Sequence, residues 1–173
     1  NKRYILISGG SMGAGKLVLA IKLLYDRYKS DKKTGLVVIC GSNKWLYKQL
    51  HGRYPGKITA VRFTDKMAAY MRMADVFVTK PGGLSTTEGA VLGVPMVHIM
   101  SIPGCETRNM RFFAQYGMSV PVKRIGMGLP NATDRLLSRA EAEKVTENQR
   151  KYINSAAAAD ICQLAEKLIN NGL

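Results

Sequence analysis

The sequence predicts an α/β domain: a mostly parallel sheet with helices on both faces and a helical C-terminal end. Three observations predict it. Short apolar runs alternate with helix-period segments at intervals that suit βαβ crossovers. Several of the runs stop at a turn rich in glycine or hydroxyl side chains just before the next helix. With 46% apolar and 22% charged residues in 173, the chain can build one core of ordinary size, and global disorder is excluded.

Arg3 to Ser8 reads as a buried strand that ends at Gly9-Gly10-Ser11, and Lys16 to Tyr25 has helical spacing. A polar loop, Lys29 to Thr34, leads to a strand at Gly35 to Cys40, stopped by Gly41-Ser42-Asn43. A helix carrying Trp45, Leu46 and Leu50 comes next. Ile58 to Phe63, Val76 to Thr79 and Pro95 to Met100 read as strands, and Lys66 to Ala74, Ser85 to Leu92 and Glu106 to Tyr116 as the helices between and after them. Gly117 is placed to end a helix before a last short strand, Ser119 to Val122. Gly126 to Asn131 reads as a loop. Ser138 and Glu141 have the spacing of a capping box, and Ala156 to Ile169 forms a final helix. No repeat, low-complexity tract or linker divides residues 1–173, so one domain is expected.

In open parallel sheets ligands bind outside the carboxyl ends of the strands, so the turns after the strands carry the chemistry. The first is Gly9-Gly10-Ser11-Met12-Gly13-Ala14-Gly15-Lys16. Glycines let backbone N–H groups approach an anion and the helix start adds a favourable partial charge, which suits phosphate. The run nearly matches a P-loop, but Leu17 stands where a Ser or Thr hydroxyl must hold Mg²⁺. A tight turn with no ligand is the bland alternative.

The second turn, Thr79-Lys80-Pro81-Gly82-Gly83-Leu84-Ser85, opens a helix with hydroxyls at Ser85, Thr86 and Thr87, and builds a second anion site. Glu88 is expected in the first turn of that helix. It has two readings: an acidic side chain favoured by the helix dipole, or an acceptor for a pair of ribose hydroxyls. The third turn, Ser101 to Asn109, sets Glu106, Arg108 and Asn109 near the same rim, where a solvated helix start explains them nearly as well. The fourth, Phe63-Thr64-Asp65, offers a cap from Thr64 or Asp65 and an exposed backbone edge that can hydrogen-bond a base.

These turns together resemble the C-terminal, nucleotide-sugar-binding half of GT-B glycosyltransferases, over about Arg3 to Gly117. The branch resembled includes bacterial processive diacylglycerol glucosyltransferases and monogalactosyldiacylglycerol synthases. The peptidoglycan-precursor N-acetylglucosaminyltransferase is a more distant cousin. Lys80 to Glu88, then Gly93-Val94-Pro95, Pro103-Gly104 and Glu106 to Asn109 carry the resemblance most specifically.

The resemblance implies a Rossmann-like sheet, half of a GT-B fold. Gly10, Ser11, Met12 and Gly13 would hold the diphosphate of a UDP-sugar, together with Gly82, Gly83, Leu84 and Ser85, beside Lys80. The backbone at Phe63 and Thr64 would meet uracil and Glu88 the ribose. Gly104, Cys105, Glu106 and Asn109 would face the donor sugar. Cys105 stands where such enzymes carry Gln, which leaves the sugar identity open. The reaction implied is hexose transfer to a lipid acceptor such as diacylglycerol, with the lipid-linked cell-wall precursor as the alternative acceptor. No cofactor is required: helix starts and loop amides stabilise the leaving diphosphate in place of a metal. The acceptor site and general base would belong to an N-terminal domain that these residues do not contain, so no catalytic residue is expected here and the domain alone should bind donor without turnover.

The charge narrows the partners. Lys plus Arg number 26 and Asp plus Glu 12, net +14. Lys22, Arg27, Lys29, Lys32 and Lys33 crowd the first helix and its following loop, without an amphipathic membrane-inserting helix there. Peripheral contact with an anionic membrane and a merely solvated face are both open. Nucleic acid is not expected, for want of a recognisable module or aromatic-basic interleaving. No apolar run reaches the length of a membrane span. Three widely spaced cysteines, Cys40, Cys105 and Cys162, read as reduced thiols rather than a disulfide framework or zinc site. The expectation is a cytoplasmic protein held at the inner leaflet. The opening Asn1-Lys2-Arg3-Tyr4 runs straight into the first strand, the pattern expected where a natural N-terminus has been removed.

Overall fold

Strands β1 (Arg3–Ser8), β2 (Thr34–Ile39), β3 (Ile58–Val61), β4 (Val76–Thr79), β5 (Met96–His98) and β6 (Val120–Pro121) form one sheet. Their order is β3-β2-β1-β4-β5-β6 and every pairing is parallel. The computed structural model describes residues 2–9, 14–99 and 102–170. Every residue of β2 and β4 is buried, as parallel strands covered on both faces require.

Helices α1 (Ala14–Tyr28), α2 (Lys44–Leu50) and α6 (Ile125–Leu136) pack on one face through Leu24, Leu46 and Leu129. The other face is covered by α3 (Met67–Met73), α4 (Gly83–Val91) and α5 (Cys105–Gln115) through Met71, Ala90 and Phe113. Alternation along β1 divides its side chains between the two layers: Ile5 and Ile7 enter the first, Leu6 the second.

The register sets the site. Val61 pairs with Ile39, Ile39 with Ser8, Ser8 with Thr79, Thr79 with His98, and His98 with Pro121. These six residues form one row across the sheet, so the turns beyond them leave at one level. The strand order reverses between β1 and β4, which opens a crevice at that rim.

Helix α7 (Arg139–Tyr152) is held by the buried Val145, by Asn148, which donates to the Gly117 carbonyl at 3.3 Å, and above all by Gln149. The fully buried Gln149 donates through Nε2 to the Val94 carbonyl at 2.9 Å and to the Met118 carbonyl at 3.0 Å. It thereby satisfies two loop carbonyls with no strand partner. Helix α8 (Ala157–Asn170) buries none of its residues, and Ile161, Leu164, Leu168 and Ile169 are exposed along it.

Four local expectations are corrected. Residues 126–131 are not a loop. They open α6, which restarts after the non-helical Gly126 (φ −20°, ψ −116°). Pro130 stands four residues after that break, so the one intrahelical bond its missing N–H forgoes is to the carbonyl of the non-helical Gly126. Ser138 is the N-cap of α7, but its side chain makes no cap hydrogen bond and Glu141 turns instead to Arg135. Neither Thr64 nor Asp65 caps α3, whose N-cap is Lys66. Thr64 Oγ1 accepts from the Lys66 N–H at 3.0 Å. Helix α4 begins at Gly83, two residues before the expected Ser85, so Glu88 lies in its second turn. Gly117 does close α5 as expected, at φ 65°.

Candidate functional site

The crevice is built from the turns that leave the common row. On the β1 side, Gly10, Ser11, Met12 and Gly13 lie outside the described residues. Leu17, in the first helix beyond them, is 4% exposed and belongs to the core, and a Cβ on Gly9 would stand 2.8 Å from its Cδ2. The residue that breaks the P-loop pattern is therefore a packing residue with no access to a metal.

On the β4 side, Thr79 and Pro81 are buried and Gly82 is the N-cap of α4 (φ −74°, ψ 146°), with no side-chain cap. The first N–H groups of α4, those of Gly83, Leu84 and Ser85, have no intrahelical acceptor. Neither glycine is demanded by the backbone, since neither has a positive φ. Nor does packing demand them: a Cβ on Gly82 meets only Lys80 Cε at 3.9 Å, and one on Gly83 meets nothing within 4 Å. Among the described residues, nothing but Lys80 fills the space before the helix start. Leu84 is 81% exposed. Of the hydroxyls, Ser85 is half-buried and Thr87 exposed, whereas Thr86 is buried with its Oγ1 unpartnered. Glu88 is exposed, and in the second turn it has little dipole attraction to explain it, because that attraction fades within the first.

On the β5 side, Gly104 holds φ 101°, which only glycine adopts readily, and so turns the chain into α5. Glu106 is not solvated. Its Oε1 receives the Lys80 ammonium at 2.8 Å and its Oε2 the Ile102 N–H at 2.8 Å. Burial alone would raise its pKa, but the Lys80 hydrogen bond, the Ile102 N–H and the Lys80 charge outweigh that and hold it below the usual carboxylate value. Asn109 Nδ2 donates to the Pro81 carbonyl at 3.0 Å, and Cys105 is exposed. The starts of α4 and α5 are therefore joined twice, by Lys80 with Glu106 and by Asn109 with Pro81.

Phe63, 80% exposed, and Thr64 stand after β3. Among the described residues, neither they nor Leu84 nor Glu88 makes a hydrogen bond or ion pair to the Lys80–Glu106 cluster. His98 is the last residue of β5 and the β5 member of the row. Its Nδ1 lies 3.0 Å from Ser119 Oγ, its Nε2 is buried without a partner, and burial pushes its pKa down to about 4. Sequence reasoning missed the direct pairing of Lys80 with Glu106 and the structural use of Asn109. Nothing in the spacing of 26 and 28 residues signals either contact. It also missed the burial of Thr86, which the alternation of helix faces could have exposed had the helix start been placed at Gly83. Among the described residues, no three His, Cys, Asp or Glu side chains gather as a metal cluster. No helix there is long and apolar enough to cross a membrane.

Known proteins are similar to this chain in sequence and in fold. A processive diacylglycerol β-glucosyltransferase of Bacillus pumilus is 29% identical over 178 residues, covering 99% of this chain and 46% of that protein. The chain thus spans a little under half the length of that curated relative. The fold is similar to that of Acinetobacter baumannii MurG (TM-score 0.75, 24% identity, 97% of this chain and 50% of that one). It is also similar to that of Staphylococcus aureus MnaA, solved as a co-structure with UDP (TM-score 0.76, 15% identity, 98% of this chain and 47% of that one). At these identities the solved structures establish the fold alone, half of a GT-B architecture. Residues 4–165 match the glycosyltransferase family 28 C-terminal domain, and the chain belongs to that family.

Proposed function

We propose that this single domain binds the UDP-sugar donor of a glycosyltransferase that transfers a hexose to a lipid hydroxyl such as that of diacylglycerol. The observation that carries the reading is the start of α4. Three N–H groups without an intrahelical acceptor open the helix, and among the described residues neither backbone nor packing requires the two glycines there. A diphosphate would accept those donors, and the positive end of the helix favours its charge. Gly10, Ser11, Met12 and Gly13 would complete the cradle from the β1 side. Phe63 and Thr64 would meet the base, and Glu88, left without a dipole role, would accept from the ribose hydroxyls. Gly104, Cys105, Glu106 and Asn109 would face the sugar, with Lys80 holding Glu106 in place.

The diacylglycerol glucosyltransferase relative supports a lipid acceptor, and the UDP held by a protein of the same fold supports the nucleotide. The acceptor site and the base would come from a further domain, and turnover would need both. In that reaction the α4 amides would stabilise charge on the departing diphosphate with no metal required. Cys105 favours keeping a second reading, transfer of N-acetylglucosamine to a lipid-linked cell-wall precursor, because a thiol replaces an amide poorly in selecting a sugar. Nucleotide triphosphate chemistry of the P-loop kind is disfavoured by the buried Leu17.

Thermal unfolding with millimolar UDP and no Mg²⁺ tests the reading: UDP should raise the melting temperature, and ATP should not. Glu88→Ala should weaken UDP while leaving inorganic pyrophosphate unaffected. The absence of any UDP shift would overturn the proposal. Repeating the titration with UDP-glucose, UDP-galactose and UDP-N-acetylglucosamine separates the two transfer readings.

A further inference from the structure

A recess of about 350 Å³ opens between α1 and α2, and it is unrelated to the crevice at β1 and β4. Its volume is at the lower end of small-molecule sites. The floor is apolar, from Ile21, Leu46, Leu50 and Ile58 of the core. Tyr25 and Tyr54 form an aromatic wall with ring centroids 4.5 Å apart, and Trp45 stands beside them. Trp45 is 56% exposed and is the only tryptophan of the chain. The exposed cations Lys22 and Arg53 line the same recess, Arg53 lying 5.9 Å from the centre of the Tyr54 ring. Its one acidic member, Asp26, is engaged by Lys29 at 3.3 Å.

The segment of chain that builds the recess is strongly one-signed. Residues 16–66, which run from α1 to the turn after β3, hold 12 Lys and Arg against three Asp and Glu. That net +9 is most of the chain's +14. An apolar recess edged by Trp and Tyr and lined by two exposed cations, in a segment of net positive charge, matches one chemistry well. Tryptophan and tyrosine settle where hydrocarbon meets headgroups, and lysine and arginine stems reach from apolar surface to acidic headgroups. Helix α8 exposes more apolar surface, but Ala157–Asn170 carries Asp160 and Glu166 against one Lys167, so it has no charge match to such a surface.

We propose that the recess between α1 and α2 is a docking site for an anionic membrane lipid, taking apolar chain onto its aliphatic floor while Lys22 and Arg53 meet the headgroups. The site stands independently of the donor reading.

Trp45 is the built-in reporter. Vesicles of equal phosphatidylglycerol and phosphatidylcholine should shift its fluorescence to the blue, and brominated acyl chains in those vesicles should quench it. Phosphatidylcholine vesicles alone should do neither. Lys22→Ala with Arg53→Ala, both exposed, should weaken sedimentation with the anionic vesicles roughly 25-fold, about fivefold per cation. Lys144→Ala with Lys151→Ala on α7 should change it far less. Three results would overturn the proposal: no binding, binding that leaves Trp45 unshifted and unquenched, or an equal Trp45 response to a single-stranded oligonucleotide. The UDP melting shift of the Lys22/Arg53 variant, measured alongside, reports on the donor site alone and so keeps the two proposals separable.

Discussion

The Lys80 ammonium lies 2.8 Å from Glu106 Oε1, and the pair joins the turn after β4 to the first turn of α5. Both side chains are largely shielded, 24% and 14% exposed, and the second carboxylate oxygen is taken by the Ile102 N–H. The two helix starts of the crevice are thus set relative to one another before any ligand arrives, which lowers the ordering cost of binding.

Removing one partner leaves the other charge half-buried and alone. Lys80→Ala and Glu106→Ala should each lower stability by about 2 kcal/mol, and a double-mutant cycle should return a coupling of about 1–2 kcal/mol. Because Glu106 is held below its unfolded pKa, its contribution is present above pH ~4.3 and fades as pH falls through the lower folded value. Glu106→Gln should flatten that acid limb in a series of melts. An unchanged limb would mean that the pair does not persist in solution.

His98 acts in the same direction on the acid side but at higher pH. Burial lowers its pKa to about 4, so between pH ~6.5 and about 4 the unfolded chain takes up a proton that the folded one refuses. Stability is full above ~6.5 and declines by about 3 kcal/mol as pH falls across that window. His98→Gln cannot titrate, and its melting temperature should be nearly level from pH 6.5 to 4.5 where the parent's declines.

Gln149→Leu keeps much of the side-chain volume but leaves the Val94 and Met118 carbonyls buried without their donor. The expected loss is about 2–3 kcal/mol in denaturant unfolding. Since α7 is the element released, amide exchange should quicken first along Arg139–Tyr152.

Leu17→Ser restores the hydroxyl that a P-loop needs. The side chain is buried against Gly9, so the change should cost about 3–5 kcal/mol and create no Mg²⁺-dependent ATP binding. Gain of such binding, read by calorimetry, would show that the glycine turn is a latent triphosphate site.

Much of the fold was legible because strand and helix alternate in the sequence itself. Apolar runs such as Arg3–Ser8 and Val76–Thr79 name their own strands, and Gly117 marks its helix end by the φ that it alone tolerates. Helix starts were less legible. The N-cap Asn43, which accepts from the Leu46 N–H at 2.9 Å, read only as a strand stop, and α4 begins two residues early because Gly82 caps it without a side chain. Residues 126–131 misled for a related reason: glycine and proline signal a loop locally, yet the opening of a helix can hold both.

By itself the sequence determined the parallel α/β order, the glycine turns at its carboxyl rim and the family resemblance that those turns carry. Each of these is assembled from local runs and turns that can be read one after another along the chain. Tertiary structure decided that Lys80 holds Glu106, that Asn109 holds Pro81, that Thr86 is buried while Glu88 is left free, and that Trp45 edges a cationic recess. Such pairings join residues far apart in the chain. They arise only when sheet register brings strand ends to one level and packing chooses which side of each helix meets water.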